Sequence, residues 1–314
     1  MKRGIKRMAA LFLFAAWLAG CAAPDAPHDG KLRVVTTLFP YYDFARAVTG
    51  GRAEVTLLLS PGRETHSFEP TPRDAAAISR ADVFVYNGGE SEAWAEEMLG
   101  AVGERAGAVL RMMDHAQTRA EEFVEGMQGA EDEADSDEIA YDEHIWTSPK
   151  NAAALCGALC ETLCAADEKN AEAYRENCAD YVERLTALDA DFRALRAEAK
   201  RDLVVFADRM PLLYFCKEYG LRYRAAFHGC SGDTEPSLAT LAFLIDKVAD
   251  ERVPMVYTVD LGSGRIAEAV SEATGAAVGT LWSLQTVSRA DFDAGETYVS
   301  MMQRNLAALR EGLT

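Results

Sequence analysis

Five side chains in this sequence combine metal-binding chemistry with positions beside apolar, strand-length segments. They are three of the five histidines and two aspartates: His66, His144, His228, Asp208 and Asp260. Two or three neutral imidazoles with one or two carboxylates suit Zn²⁺, and also Mn²⁺ or Fe²⁺. These residue types therefore predict a divalent metal site, although the ligands come from distant loops rather than from one motif.

The two strongest candidates lie in loops bounded by proline. His66 is in SPGRETHSFEP (60–70), and His144 is in YDEHIWTSPKN (141–151), just ahead of a Ser-Pro pair that begins a helix. A histidine that binds a metal usually gives its other ring N–H to an acceptor. The nearby candidates for that acceptor are Glu69, Glu143 and Glu235.

The remaining candidates keep two interpretations each. His228 stands beside Gly229 and is either a third imidazole ligand or a turn residue. Asp208 is either a ligand or the N-cap of the following helix. Asp260 precedes Leu261-Gly262 and is a second carboxylate candidate of the same kind.

Strands and helices alternate in both halves of the chain, and their order predicts where these side chains meet. Apolar runs of strand length occur at 32–38, 53–59, 82–86, 203–206, 222–227 and 254–259. Continuous apolar strands separated by helices favour parallel sheets covered on both faces, with ligands bound beyond the carboxyl ends of the strands. Residues 167–200 lack Gly and Pro and carry apolar residues at steps of three and four, which predicts one helix of roughly 50 Å. The predicted fold is α/β, with two doubly wound parallel-sheet lobes joined by one long rigid α-helix.

The N-terminus predicts export and a lipid anchor. Residues 1–20 have a basic start and a short apolar core that ends in LAG before Cys21, as in a bacterial lipoprotein signal; the alternative is a plain secretory peptide. Residues 21–30 are then a flexible tether. The predicted lobes are 31–166 and 201–314, with 167–200 as the linking helix. The acidic stretch 121–143, inside the first lobe, is expected to be a solvated loop.

The net charge and the cysteines narrow the range of possible functions. The formal net charge of −18 disfavours nucleic acid as a partner. Cys156, Cys160 and Cys164 recur every four residues and are expected to pack as small apolar groups, while pairing of Cys216 with Cys230 stays open. The chain contains no CxxC, HExxH, GxSxG or Walker motif, which favours a protein that is not an enzyme.

Together these segments resemble the zinc- and manganese-binding lipoproteins of ABC transporters (the cluster A-I type). SPGRETHSFEP resembles that family's first metal loop, YDEHIWTSPKNA its second, and YGLRYRAAFHGCSGDTEPS the segment that ends in Glu-Pro-Ser. The resemblance implies a monomer, lipid-anchored on the extracytoplasmic face of the cell membrane, that delivers Zn²⁺, or Mn²⁺, to the permease. The family usually has a ligand where this chain has Ala207 and Asp208, so either Asp208 serves, or His228 substitutes, or the position is empty. The acidic stretch also lacks the family's histidine cluster.

Three other functions compete with metal delivery. A metallohydrolase uses the same ligands but keeps an open position for water. The same fold binding a metal chelate, such as haem or a siderophore, predicts a broad cleft lined by aromatic residues and Arg. A surface adhesin-type lipoprotein needs no ligand site at all.

Overall fold

Two four-stranded sheets form the framework of the computed structural model, which describes residues 30–63, 68–129, 140–231 and 235–314. The strands are β1 (Leu32–Thr36), β2 (Ala53–Leu57), β3 (Val83–Tyr86), β4 (Ala108–Arg111), β5 (Leu203–Met210), β6 (Arg222–His228), β7 (Met255–Val259) and β8 (Ala277–Leu281). The first sheet has the order β2-β1-β3-β4 and the second β6-β5-β7-β8, with every pairing parallel. The prediction of two parallel sheets is confirmed.

Helices connect the strands in both halves. The described residues form α1 (Phe39–Thr49), α2 (Pro72–Ile78), α3 (Ala93–Val102), α4 (Pro149–Ala166), α5 (Ala171–Glu198), α6 (Leu213–Tyr219), α7 (Leu238–Asp250), α8 (Arg265–Thr274), α9 (Arg289–Asp293) and α10 (Tyr298–Leu313). The Ser148 hydroxyl caps α4 by accepting a hydrogen bond from the Asn151 N–H at 3.4 Å, and Pro149 occupies the first turn. The helix start predicted from the Ser-Pro pair is therefore confirmed.

Each sheet is buried on both faces, as its continuous apolar strands predict. Successive side chains of a strand point to opposite faces. In β1, Val34 therefore packs into the central core, whereas Val35 packs against the outer layer of α2 and α3. In β5, Val204 faces the central core and Val205 faces α7 and α8.

One central core runs through both halves of the chain. It contains residues of both sheets and of α1, α4, α5, α6 and α10, and contacts group Leu32–Thr314 into one compact unit. Helix α5 has 28 residues, or roughly 42 Å at 1.5 Å per residue, and a 3₁₀ turn at Glu168–Asn170 precedes it. The predicted long helix is confirmed, although it is shorter than expected. The lobe boundaries at 166 and 201 stay a prediction.

The sequence did not predict two of the strands, and a third strand is longer than predicted. The edge strands β4 and β8 are short, and the first two residues of each are exposed. Strand β5 continues to Met210 through an irregular register between Phe206 and Arg209, so Asp208 lies within the strand. The alternative of Asp208 as a helix N-cap is wrong, because the N-cap position of α6 is Leu212.

The expectation of a solvated acidic loop is wrong at both ends of 121–143. Glu122 forms an ion pair with Lys217 at 2.6 Å, and the Gln128 N–H donates to the Ala226 carbonyl at 3.0 Å. At the other end, Tyr141 forms an antiparallel bridge with Ala120. These ends pack because Glu122 and the Gln128 backbone find partners on α6 and β6, and because Tyr141 pairs with the segment just before the stretch.

Several sequence predictions lie outside the described residues: the signal 1–20, the lipidation of Cys21, most of the tether 21–30, and His66. No helix within the described ranges is long and apolar enough to cross a membrane.

Candidate metal centre

His144 is held at the entrance to α4 by the turn that follows it. A 3₁₀ turn covers Ile145–Thr147 and connects His144 to the cap residue of the helix. The backbone N–H and the hydroxyl of Thr147 both donate to the His144 carbonyl, at 3.1 and 2.8 Å. Two hydrogen bonds therefore hold the carbonyl of this histidine in place.

The imidazole of His144 is oriented by a buried carboxylate. Asp142 Oδ1 lies 3.2 Å from His144 Nδ1 and also accepts the His144 backbone N–H at 2.8 Å. Both side chains are 2 % exposed, and the Tyr214 hydroxyl donates to the Asp142 carbonyl at 2.7 Å. With its proton on Nδ1 facing the carboxylate, the neutral ring keeps the lone pair of Nε2 for a metal ion.

The electrostatic surroundings of His144 favour a cation. Burial alone would lower the pKa of His144, but the charges of Asp142, Glu143 and Glu121 outweigh it and raise the pKa. The same carboxylates that stabilise an imidazolium also stabilise a divalent ion bound at the ring.

Asp260 shares a cleft with His144. The cleft is also lined by Arg209, Gly229 and Ser283, and its volume is about 20 Å³, close to that of one water-sized ligand. Asp260 Oδ1 accepts the Ser283 backbone N–H at 2.5 Å, which fixes the carboxylate at the carboxyl end of β7. The structure therefore brings together two of the predicted ligands, one from each half of the chain.

Asp208 is engaged in holding the second sheet together. Its Oδ2 accepts hydrogen bonds from the Thr258 hydroxyl at 2.7 Å and from the Val259 N–H at 3.2 Å. A side chain added at Gly262 would meet that oxygen at 2.3 Å, so the packing around it is tight. These contacts join the irregular part of β5 to β7.

His228 lies in a different cavity from His144. Its Nδ1 is 2.8 Å from Glu121 Oε2, and both side chains line a cavity of about 630 Å³ with Glu143 and Cys230. Gly229 stands between the two histidines, with a Cβ there lying 3.2 Å from His144 Cε1. The structure does not place His228 in the cleft of His144 and Asp260.

The ion pair with His228 changes the titration of its partner. Burial alone would raise the pKa of Glu121, but the hydrogen bond and charge of His228 outweigh it and lower the pKa.

Burial, reinforced by Asp142, Glu143 and Glu121, raises the pKa of the Cys230 thiol. Cys216 and Cys230 are both free thiols, so the pairing left open by the sequence does not occur here.

The three glutamates that were expected to accept a ring N–H from a ligating histidine have other surroundings in the structure. Glu143 is buried, but its carboxylate accepts hydrogen bonds from the Ser91 N–H at 3.0 Å and from the Ser91 hydroxyl. Glu69 is exposed, and Glu235 pairs with Arg265. The carboxylate that contacts the ring of His144 is Asp142, which the sequence analysis missed although it lies two residues away.

The described residues hold part of a site. Within the ranges that the structure describes, no three His, Cys, Asp or Glu side chains converge closely enough to hold a metal ion. His144 and Asp260 are the predicted ligands that line one cleft there.

Comparison with known proteins identifies what the whole chain is similar to. The family model described as "Zinc-uptake complex component A periplasmic" (ZnuA) matches residues 34–312. The high-affinity zinc uptake system protein ZnuA of Bacillus subtilis is 30 % identical, with 98 % of both chains covered. The zinc-binding lipoprotein AdcA of Streptococcus pneumoniae (serotype 4) is 32 % identical over 95 % of this chain, which spans 59 % of the length of AdcA.

A solved structure has the same architecture. The Zn(II)-bound ZnuA-like domain of Streptococcus pneumoniae AdcA superimposes with a TM-score of 0.75 at 30 % identity, covering 90 % of this chain and 99 % of that domain. The two-sheet arrangement therefore occurs in a protein solved with zinc.

Proposed function

The chain belongs to the ZnuA family of periplasmic zinc-uptake components, and on that premise we propose that it binds Zn²⁺ outside the cytoplasm and delivers it to an ABC importer. The observation that carries the proposal is the buried imidazole of His144, held through Nδ1 by Asp142 and presented to a cleft that also contains Asp260. The zinc ion is the cargo of this protein, and we assign it no catalytic role.

We propose His66, His144 and Asp260 as the ligands. Two imidazoles and a carboxylate make a set that Zn²⁺ binds well, and Zn²⁺ precedes Mn²⁺ in affinity at nitrogen-containing sites. Asp208 and His228 are less suited as ligands because neither lines this cleft. The Asp208 carboxylate accepts two hydrogen bonds from β7, and the His228 ring is paired with Glu121 in the other cavity. Mn²⁺ is the second candidate cargo, because a carboxylate ligand reduces the difference in affinity between Zn²⁺ and Mn²⁺.

The size of the cleft favours a bare ion over a chelate. The cleft of His144 and Asp260, at about 20 Å³, accommodates one ion or one water molecule, whereas haem or a siderophore would need the separate cavity of about 630 Å³ beside His228. The buried, oriented histidine also supports metal binding over an adhesin function alone, because adhesion needs no buried imidazole.

Anchoring and delivery complete the proposal. Lipidation at Cys21 and the tether to residue 30 would hold the protein at the extracytoplasmic face of the membrane, within reach of the permease. Helix α5 packs along most of its length in the central core, so we expect loops near the cleft to move on binding and release more than the two halves as rigid bodies.

Zinc titration of the mature chain tests the proposal. We expect one Zn²⁺ per chain, and His144→Ala should weaken binding by at least about 100-fold because a zinc ligand is lost. The matched control is His115→Ala, which removes an exposed histidine of a 3₁₀ turn and should leave affinity unchanged. Wild-type affinity in His144→Ala would refute the assignment.

A further inference from the structure

The backbone of Ser283 connects the two sides of the metal cleft. Its N–H donates to Asp260 Oδ1 at 2.5 Å, and its carbonyl accepts the indole N–H of Trp146 at 2.8 Å. Trp146 is two residues beyond His144, and Asp260 is bonded to the Ser283 N–H. Both proposed ligands of the described cleft therefore lie beside this contact. These two groups belong to adjacent peptide planes that meet at the Ser283 Cα, so the φ and ψ of Ser283 link their positions. Ser283 is buried and its hydroxyl also accepts the Gln285 N–H at 3.3 Å, which holds this backbone segment in place.

Trp146 is suited to fix that backbone segment because its own side chain has almost no freedom to move. Its side chain is fully buried, and its own carbonyl accepts a hydrogen bond from the Tyr298 hydroxyl at 2.7 Å. The indole packs edge-on against Tyr41, with ring centroids 6.1 Å apart, and against the His144 ring at 5.4 Å. The donor that holds the Ser283 carbonyl is therefore part of the same rigid group as the proposed ligand.

The backbone beside Asp260 and Ser283 adopts a conformation that L residues rarely take. Leu261 and Leu284 both have φ of +63°, and the side chain of Leu284 is fully buried. Among the described residues, the one other non-glycine residue with positive φ is Arg252. Left-handed backbone at leucine is unfavourable and persists where surrounding contacts enforce it, often at functional sites. Here the left-handed residues Leu261 and Leu284 shape the two loops that carry Asp260 and Ser283.

We propose that Trp146 is a positioning residue for metal binding, whose indole N–H sets the distance between His144 and Asp260 through the backbone of Ser283. This inference rests on the proposed function. It predicts that Trp146 acts on affinity and coordination geometry through Asp260, without touching the ion. A role limited to packing would change stability and leave the geometry of the site intact.

The first test is Trp146→Phe, which keeps a buried ring and removes the donor. We expect Zn²⁺ affinity to fall by at least about tenfold, the range seen when groups that orient ligands are lost. The visible spectrum of the Co²⁺-loaded protein should change in intensity, because the geometry around the ion changes. The control is Tyr174→Phe, which removes a buried hydrogen bond to Asp167 at a residue that does not line the cleft and keeps the indole donor; its spectrum should match wild type.

A double-mutant cycle separates positioning from packing. If Trp146 acts through Asp260, Trp146→Phe should cost little affinity in an Asp260→Ala chain. Equal losses in both backgrounds would overturn the inference, as would an unchanged Co²⁺ spectrum in Trp146→Phe. Failure of the wild-type chain to bind Zn²⁺ at one ion per chain would instead refute the proposed function, so the two failures are distinguishable.

An isosteric replacement covers the case in which Trp146→Phe does not fold. Benzothienylalanine replaces the indole N–H by sulfur and keeps the shape of the ring. It is incorporated in a chain whose other mature tryptophans, Trp94 and Trp282, are changed to Phe, and compared with the same chain containing tryptophan. The same tenfold loss supports the inference, and equal affinities overturn it.

Discussion

Asp142→Asn is the sharpest test of how the metal centre is built. Asp142 Oδ1 accepts both the backbone N–H of His144 and, at 3.2 Å, its ring Nδ1, and the carboxylate is 2 % exposed. The asparagine oxygen can still accept the backbone N–H, so the turn should persist. The negative charge that orients the imidazole and strengthens it as a ligand is lost.

The expected effect follows from comparable carboxylate–histidine–metal arrangements. Loss of the carboxylate behind a ligating histidine lowers metal affinity by about 10- to 100-fold, or about 1.4 to 2.7 kcal/mol. The measurement is competition for Zn²⁺ against a chelator of known affinity at fixed pH and ionic strength. Thermal unfolding of the metal-free protein shows whether the fold survives.

Glu143→Gln is the matched control for Asp142→Asn. It makes the same change of charge one residue away at a side chain that is equally buried but bonded to Ser91. Since Glu143 acts on the ring only through space, we expect a loss of roughly threefold or less. If Glu143→Gln weakens binding as much as Asp142→Asn, net charge rather than the hydrogen bond controls the site, and the reasoning fails.

Two further predictions concern pH and the acidic stretch. Burial raises the pKa of Glu92 to about 7. Between about pH 4.5 and 7 the folded chain therefore retains a proton that the unfolded chain loses, and the free energy of unfolding of the metal-free protein should fall by roughly 3 kcal/mol as the pH rises. Urea unfolding from pH 4.5 to 8 should show the same slope in wild type and in the exposed control Glu90→Gln, and a shallower slope in Glu92→Gln, where the raised pKa values of buried Asp43 and Glu143 still contribute; equal slopes in all three would exclude a contribution from Glu92. Replacing 130–139 by a short Gly-Ser linker should leave Zn²⁺ affinity within roughly threefold, because carboxylates alone hold Zn²⁺ weakly. A tenfold loss in the same chelator competition would show that these residues contribute to binding.

The sequence determined the fold class because its signals are local. Continuous apolar runs such as 82–86 give strands buried on both faces, and the long pattern without Gly or Pro gives α5. The edge strands β4 and β8 were missed for a physical reason. Their residues include Ala and Gly and are partly exposed, so they are strands because β3 and β7 pair with them, and pairing is not written in a local pattern.

The sequence also identified His144 and Asp260 as candidate ligands, since residues after parallel strands or before helices collect at one edge of a sheet. Tertiary structure decided what those side chains contact. Asp208 follows an apolar run in sequence but joins two strands at an irregular register, and His228 faces Glu121 across a separate cavity. Asp142 and Glu143 are adjacent carboxylates of similar burial beside the same histidine. Only the backbone path of this turn, held by Tyr214 and Ser91, directs Asp142 to the imidazole and Glu143 away from it.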